Sequence, residues 1–146
     1  MRITYRYKKN KDYWKGRWEN IPVDKPMTNK NVYPLKYSEI CINNSREGKI
    51  LEAGCGNGRI LRYYHNQGYR ISGFDFIRDS IEKIKKIDPS IDVEVGDITK
   101  LTYPKDTFDF VLSFGLYHNL EKKLNEAVNE THRVLKKNGK VCASFR

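Results

Sequence analysis

Three alternate glycines, Gly54, Gly56 and Gly58, follow a short apolar stretch that ends in the acid Glu52. A helical run begins directly afterwards, at Arg59. A strand, a glycine turn and a helix in this order bring backbone N–H groups and a helix N-terminus against a ligand. Glycine has no Cβ, so a flat or polar ligand can approach the backbone closely. The predicted ligand-binding residues of this turn are Glu52, Gly54, Cys55, Gly56, Asn57 and Gly58.

A second acid, Asp75, ends the next predicted strand 23 residues beyond Glu52. An acid about 20 positions after such a turn is placed to accept the hydroxyl protons of a ribose. A carboxylate suits this role because it offers two acceptor oxygens to a vicinal diol. Helix capping is the alternative role, but the position at a strand's C-terminal end favours ligand contact. Phe76 follows and is placed to pack on an adenine ring.

The segment E-A-G-C-G-N-G-R at residues 52–59 resembles the first motif of the class I S-adenosylmethionine-dependent methyltransferases, (D/E)-x-G-x-G-x-G. Three later stretches agree with that family in order and distance. They are Gly96-Asp97-Ile98, the loop and strand P-K-D-T-F-D-F-V at 104–111, and V-L-K-K-N-G-K at 134–140. The G-x-G-x-G spacing fits the dinucleotide fingerprint poorly, because Arg59 occupies the last glycine's place.

The resemblance covers residues 48–145 and implies a Rossmann-like, doubly wound, mostly parallel sheet with helices on both faces. It implies S-adenosylmethionine lying across the C-terminal ends of the first, second and fourth strands, and in-line methyl transfer to an unidentified small-molecule acceptor. In the family, the acid at Asp97 caps the adenine amino group and Ile98 packs on the ring, whereas a helix-capping turn is the alternative for Asp97. Phe114 comes off the fourth strand and is also predicted to contact the cofactor.

Both tryptophans of the chain, Trp14 and Trp18, stand four residues apart, which puts them on one face of a helix. The functional interpretation is a lid that closes over the adenine or the sulfonium, where cation–π attraction suits a positive sulfur. The equally good alternative is an anchor that fixes an N-terminal helix to the core. The stretch resembles the W-x-x-x-W found before the cofactor domain of thiopurine-type and related small-molecule methyltransferases.

The segment after the fourth predicted strand carries the candidate catalytic residues His118 and Tyr117. Many members of the resembling family have a histidine here. A histidine has a pKa near neutrality, so His118 could act as a general base toward a hydroxyl or amine acceptor. A structural or substrate-orienting role for His118 is the alternative.

Strand and helix patterns alternate along the chain, which predicts parallel pairing with helices on both sheet faces. Predicted strands cover residues 49–52, 69–75, 91–95, 110–112 and 141–145, and predicted helices cover 35–44, 59–67, 79–87 and 121–136. A turn capped by Gly139 is expected between the last helix and the last strand. Residues 1–47 are interpreted as an N-terminal arm, loop and helix on the substrate side, with alternating Ile3, Tyr5 and Tyr7. Residues 48–146 are the cofactor-binding core.

The chain has 146 residues, enough for one substantial core, and a net charge of +10. Residues 1–49 hold 12 Lys/Arg against 5 Asp/Glu, a net of +7. A lysine-rich solvated surface explains this best, and a nucleic-acid partner is the alternative. There is no apolar run of membrane-spanning length and no secretory signal pattern. The three cysteines form no C-x-x-C pair, which predicts a reducing cytoplasm, no disulfide and no metal site.

The resembling family usually continues past the fifth strand with a helix and two further strands. Here the fifth strand would be an exposed apolar edge, which natural proteins avoid. We therefore expect a truncated version of a longer chain, or a second chain that covers the edge, including self-association. Two rival functions stay open: a cofactor-binding but inactive partner subunit, and a nucleic-acid-binding module using the basic arm. A nicotinamide oxidoreductase is disfavoured by the glycine spacing.

Overall fold

The computed structural model describes residues 10–23 and 25–145, so the predicted arm with Ile3, Tyr5 and Tyr7 lies outside the described residues. Within that part of the chain there are five strands: β1 Ile50–Ala53, β2 Ile71–Asp75, β3 Asp92–Val95, β4 Phe108–Phe114 and β5 Leu135–Ser144. The same residues form five α-helices: α1 Asn10–Glu19, α2 Leu35–Ile42, α3 Arg59–Asn66, α4 Arg78–Ile87 and α5 Leu124–Val134. Short 3-10 turns at Tyr117–Asn119 and Glu121–Lys123 precede α5.

All strand pairs of the sheet are parallel, and the strand order is β3-β2-β1-β4-β5. The predicted doubly wound sheet is therefore confirmed. From β1 the chain runs outward through β2 to β3, then returns to place β4 on the other side of β1. Ile50 pairs with Ile71 of β2 on one side and with Phe110 of β4 on the other. In open parallel sheets, ligands bind beyond the C-terminal ends of the strands where the winding reverses, here between β1 and β4.

Apolar side chains cover both faces of the sheet. On one face, α2, α3 and α4 contribute to a buried cluster that includes Leu35, Leu61, Tyr64, Ile84 and Leu112. On the other face, α5 and the preceding turns enclose a second cluster that includes Leu51, Phe74, Phe108, Val111 and Val134. Every residue of β1 is buried, which is why this central strand reads as an uninterrupted apolar run before its acid. The sheet is thus a rigid platform whose strand ends position the glycine turn.

The connection from α5 to β5 differs from the prediction. The helix ends at Val134, and β5 begins at Leu135 instead of residue 141. The N–H of Thr107 donates to the Val134 carbonyl at 2.8 Å, and the Lys136 ammonium lies 2.9 Å from Asp109. These contacts join the segment to the start of β4, with a register irregularity between Phe108 and Phe110. The predicted helix cap at Gly139 is wrong, because α5 already ends at Val134. The pairing with β4 passes from Phe108–Leu135 to Phe110–Lys140, so residues 136–139 bulge out of the register, with Asn138 at a φ of 66°.

Strand β5 forms one edge of the described sheet, and Val141 and Phe145 are exposed there. Its C-terminal end is tied to other elements by Ser144. The Ser144 hydroxyl lies 3.0 Å from the Tyr33 hydroxyl and accepts the Gly115 N–H at 3.1 Å. Among the described residues, no helix is long and apolar enough to cross a membrane.

Candidate functional site

The glycine turn is fastened to the end of β2. The N–H groups of Gly54 and Cys55 both donate to the Phe74 carbonyl, at 3.0 and 2.9 Å. The Gly58 N–H donates to the Cys55 carbonyl at 2.9 Å and closes the turn. Gly54 and Gly56 have φ of 73° and 53°, a conformation that side chains with a Cβ adopt only with strain. The predicted turn geometry therefore forms, and α3 begins directly after it.

Asp75 joins this turn to the second strand through both carboxylate oxygens. Its Oδ2 accepts the Gly56 N–H at 2.8 Å, and its Oδ1 accepts the Ile77 N–H at 2.9 Å. The side chain is buried, and burial raises the pKa of Asp75 while the two backbone N–H donors oppose that rise. Each oxygen keeps acceptor capacity beyond these bonds. The carboxylate is thus held rigidly at the mouth of a cleft, where a diol could reach it.

A first cleft of about 150 Å³ opens beside Asp75 and is mostly apolar. Its lining includes Phe74, Phe76, Ile98, Leu116 and Leu120, with Asp75, Gly96, Asp97 and Thr99 supplying polar groups. The Oδ1 of Asp97 accepts the N–H and the hydroxyl of Thr99, at 2.9 and 2.8 Å. The Thr99 N–H is the largest cause of the lowered pKa of Asp97. Apolar side chains beside two carboxylates are groups that could contact the base and the hydroxyls of a nucleoside.

A second cleft of about 310 Å³ lies on the other side of the glycine turn. Aromatic side chains, two guanidinium groups, one buried acid and a histidine line it: Tyr13, Trp14, Trp18, Tyr33, Phe114, Arg17, Arg59, Glu52 and His118. Glu52 accepts the Leu61 N–H at 2.7 Å, and burial raises its pKa to about 8. The nearby Arg59 opposes that rise. A cation bound against Glu52 would stabilise its charged form.

The two clefts share one wall, to which Trp14, Trp18, Gly54, Phe114 and Gly115 all contribute. The two indole rings stack with centroids 6.1 Å apart and planes inclined by 22°. The Trp18 ring lies directly on Gly56. A Cβ added to Gly56 would lie 2.9 Å from the ring atom Cη2 and nearer still to Cζ2 and Cε2. Helix α1 thus packs against the glycine turn and lines both clefts.

The structure brings most of the predicted site residues to these two clefts. Asp75, Phe76, Asp97 and Ile98 line the first, Glu52 and Cys55 line the second, and Gly54, Phe114, Trp14 and Trp18 line both. The Cys55 thiol is buried, and its burial raises its pKa well above the usual value. His118 is at the second cleft, with its Nε2 3.2 Å from the Asn119 amide nitrogen. Trp14 and Trp18 lie at both clefts, which is compatible with the predicted lid and with the alternative anchor.

Four predicted residues lie outside the lining of both clefts. Gly56 lies beneath Trp18, Gly58 begins α3, and the Asn57 amide donates to backbone carbonyls of the N-terminal segment. Tyr117 is buried on the α5 face, with its hydroxyl 2.7 Å from that of Thr131 and its ring stacked on Phe145 at 5.8 Å. The geometry therefore favours His118 over Tyr117 for contact with an acceptor.

Several lining residues were absent from the sequence-based set, chiefly Arg17, Tyr33, Arg59, Leu116 and Lys123. Arg59 had a local signal, because it occupies the place of the last glycine in the dinucleotide fingerprint. Tyr33 and Arg17 had none, because their contribution depends on how the N-terminal segment folds back on the core. Tyr33 packs edge-on against Phe114, with ring centroids 5.8 Å apart. Among the described residues, no cluster of His, Cys, Asp and Glu could hold a metal ion.

A parallel sheet with a glycine turn at its switch point, a buried carboxylate at the end of the next strand and an apolar cleft beside it is the arrangement of a Rossmann-like domain. The family profile described as "Methyltransferase domain" matches residues 51–143. The chain therefore belongs to the methyltransferase-domain family, and S-adenosylmethionine is the cofactor that this family implies. The residues present fit that group, since the clefts offer an adenosine slot, a buried acid for an ammonium and aromatic rings for a sulfonium.

Named relatives agree with this assignment. The chain is 30% identical over 104 residues to a phosphatidylethanolamine N-methyltransferase of Cereibacter sphaeroides, covering 67% of this chain and 50% of the relative. It is 34% identical over 99 residues to a demethylmenaquinone methyltransferase of Renibacterium salmoninarum, covering 66% and 41%. The crystal structure of a TehB-like SAM-dependent methyltransferase from Corynebacterium glutamicum superposes with a TM-score of 0.71 at 27% identity, covering 92% and 72%. The chain thus spans about half the length of the curated relatives it matches.

Proposed function

We propose that the chain transfers a methyl group from S-adenosylmethionine to a small-molecule acceptor by in-line displacement. The observation that carries the proposal is the junction of the two clefts at Gly54 and Phe114. A cofactor with its adenosine in the first cleft would present its sulfonium at that junction. The second cleft would then hold the amino-acid end of the cofactor together with the acceptor.

The adenosine end would be held by groups that the fold already fixes. Asp75 would accept the ribose hydroxyl protons, because both its oxygens are oriented by backbone N–H donors. Phe76 and Ile98 would pack on the adenine ring, and Asp97 would accept from its amino group. Because Thr99 already orients Asp97, this carboxylate loses little freedom on binding.

The amino-acid end would lie between Glu52 and Arg59, which both line the second cleft. Glu52 is the buried acid of that cleft and would pair with the ammonium group. Arg59 has no carboxylate within salt-bridge distance among the described residues. Its guanidinium lies 5.8 Å from the centre of the Trp18 ring, where it could also pair with a ligand carboxylate. Charge-assisted pairs of this kind are stronger than neutral hydrogen bonds.

When bound, the cofactor supplies an electrophilic methyl group on a positively charged sulfur. Trp14 and Trp18 would face that charge with their rings and exclude water from the junction. Tyr33 and Phe114, whose rings contact each other edge-on in the second cleft, would align the acceptor. His118 would orient the acceptor or take its proton, since it stands at the second cleft.

Calorimetric titration with S-adenosylmethionine and S-adenosylhomocysteine, with NAD as control, tests the cofactor assignment. Micromolar binding of the first two and none of NAD supports it. Binding of NAD alone would contradict it. A screen of small-molecule acceptors with radiolabelled cofactor then tests transfer, and cofactor binding without turnover across the panel would favour the inactive partner subunit instead. We also propose a cytoplasmic location, which the free thiols of Cys41, Cys55 and Cys142 favour.

A further inference from the structure

The N-terminal segment is fastened to the core around the glycine turn. We call residues 10–23 the lid. The Asn57 amide nitrogen donates to the Trp18 carbonyl at 2.8 Å and to the Ile21 carbonyl at 2.7 Å. The Arg62 guanidinium donates to the Val23 carbonyl. Asn57 of the glycine turn and Arg62 of α3 therefore hold the second half of the lid through its backbone carbonyls.

Of the two residues that hold the lid, Asn57 is the one that is fully buried and lies inside the glycine turn itself. Asparagine in a turn ordinarily bonds its own neighbouring backbone. Here both N–H groups go to a segment that precedes the turn by 36 and 39 residues. Loss of a buried partner costs more than loss of an exposed one, because the remaining carbonyls stay desolvated. Asn57 therefore contributes two buried hydrogen bonds to holding the lid, beside the Arg62 contact and the exposed Lys15–Asp79 ion pair.

The residue before Asn57 connects the same turn to the cofactor site. The Gly56 N–H donates to Asp75, and the Trp18 ring rests on the Gly56 backbone. Two consecutive residues therefore contact the ribose-type carboxylate, an aromatic wall of both clefts and the lid backbone. A ligand that orders this turn also orders Asn57, and thermodynamic coupling between two such events is reciprocal.

We propose that Asn57 is a positioning residue that fixes the lid over the glycine turn and so couples lid closure to cofactor retention. This inference rests on the proposed function for its second half, because retention presupposes a cofactor in the clefts. The first half, lid positioning, concerns the protein alone. The two halves can therefore be tested separately.

The informative variant is Asn57→Asp, which keeps the shape of the side chain but removes both N–H donors and sets a carboxylate against two carbonyls. Asn57→Ala removes the donors without adding charge and serves if the first variant misfolds. The matched control is Asn20→Asp, with the same change of charge on the exposed part of the lid. Among the residues that the structure describes, the Asn20 side chain makes one long hydrogen bond, 3.4 Å to the Gly16 carbonyl.

Two measurements on the full chain separate positioning from general stability. Hydrogen exchange of the ligand-free protein reports opening of the lid relative to β1 and β4. Intrinsic fluorescence reports release of S-adenosylhomocysteine in stopped flow, because the chain has two tryptophans and both lie in the lid. We expect lid amides of the Asn57 variants to exchange about 30-fold faster, the combined effect of two hydrogen bonds. Dissociation of S-adenosylhomocysteine should accelerate at least about tenfold.

We expect β1 and β4 to keep their protection in the Asn57 variants, and Asn20→Asp to behave like the unmodified protein in both measurements. Unchanged lid exchange in both Asn57 variants would overturn the proposal. Equal loss of protection in the lid and in β1 would assign Asn57 a merely structural role. Faster hydrogen exchange in the lid with an unchanged dissociation rate of S-adenosylhomocysteine would refute the coupling between lid closure and cofactor retention. If the unmodified protein binds no S-adenosylhomocysteine, the proposed function fails, and so does the proposed coupling to cofactor retention. Hydrogen exchange alone then tests whether Asn57 positions the lid.

Discussion

The contact between Trp18 and Gly56 predicts that Gly56→Ala is far more damaging than the same change at Gly68. Both glycines have positive φ, 53° and 78°, so alanine is strained at either position. At Gly68 an added Cβ meets nothing within 4 Å. At Gly56 it meets three atoms of the rigid Trp18 ring, and the indole must move away. Gly68 therefore provides a control for backbone strain without the steric clash.

The expected magnitudes follow from these two components. Placing a Cβ in the left-handed region costs about 1–2 kcal/mol, which is the whole expected effect at Gly68. Forcing a side chain into a filled space costs about 1–3 kcal/mol more, so Gly56→Ala should lose about 2–5 kcal/mol. Urea unfolding followed by circular dichroism measures both free energies. Calorimetry should show weakened S-adenosylhomocysteine binding for Gly56→Ala and unchanged binding for Gly68→Ala.

A double-mutant cycle with Trp18→Ala isolates the clash. Removing the ring removes the atoms that the new Cβ meets, so the cost of Gly56→Ala in that background should fall to the cost of Gly68→Ala. The coupling energy is the difference between the two backgrounds. A cost of Gly56→Ala that is the same with and without the indole would refute the placement of Trp18 on the turn.

Three further predictions concern the acids and the histidine. Asp75→Asn should weaken S-adenosylhomocysteine binding about 10-fold to 100-fold in calorimetry, because an NH2 donor would replace one of the two carboxylate oxygens that accept backbone N–H groups and, in the proposed complex, ribose hydroxyls; equal affinity would contradict the ribose assignment. Burial raises the pKa of Glu52 from 4.5 to about 8, so the folded state favours the protonated form and the free energy of unfolding should fall as pH rises through that interval. Glu52→Gln should remove this decline in urea unfolding at pH 5, 7 and 9, and parallel profiles would refute it. Once an acceptor is identified, His118→Gln should lower kcat about 100-fold or more if His118 is a base, with unchanged S-adenosylhomocysteine affinity. A small, pH-independent loss of kcat would indicate that His118 only orients the acceptor.

The fold was predictable because each strand and turn carries its own local signal. The glycine turn, the acid at Asp75 and the apolar run of β4 each depend on residues adjacent in sequence. The start of β5 was not predictable, since Leu135 pairs with Phe108 and its neighbours Val134 and Lys136 contact Thr107 and Asp109, which no local pattern encodes. For the same reason Tyr117 was predicted near the site, whereas its ring turns toward Phe145.

The lining of the first cleft was likewise more predictable than the lining of the second. Asp75, Asp97 and Ile98 come from strand ends, whose positions the sheet order determines. Tyr33, Arg17 and the lid contacts come from a segment whose path depends on Asn57 and Arg62, far along the chain. A pattern that spans a handful of residues contains no information about such distances.

The spacing of the glycine turn has a meaning beyond ligand contact, because each glycine faces a different element. A Cβ on Gly54 would touch Leu116 in the loop after β4, at 3.4 Å. A Cβ on Gly56 would strike Trp18 of α1, and one on Gly58 would lie 2.8 Å from Ile84 of α4. The turn is therefore where the lid, the loop after β4 and the helix after β2 all approach the end of β1. Alternate glycines allow three such approaches within five residues, so the motif also specifies how the lid and the cofactor clefts are assembled around the turn.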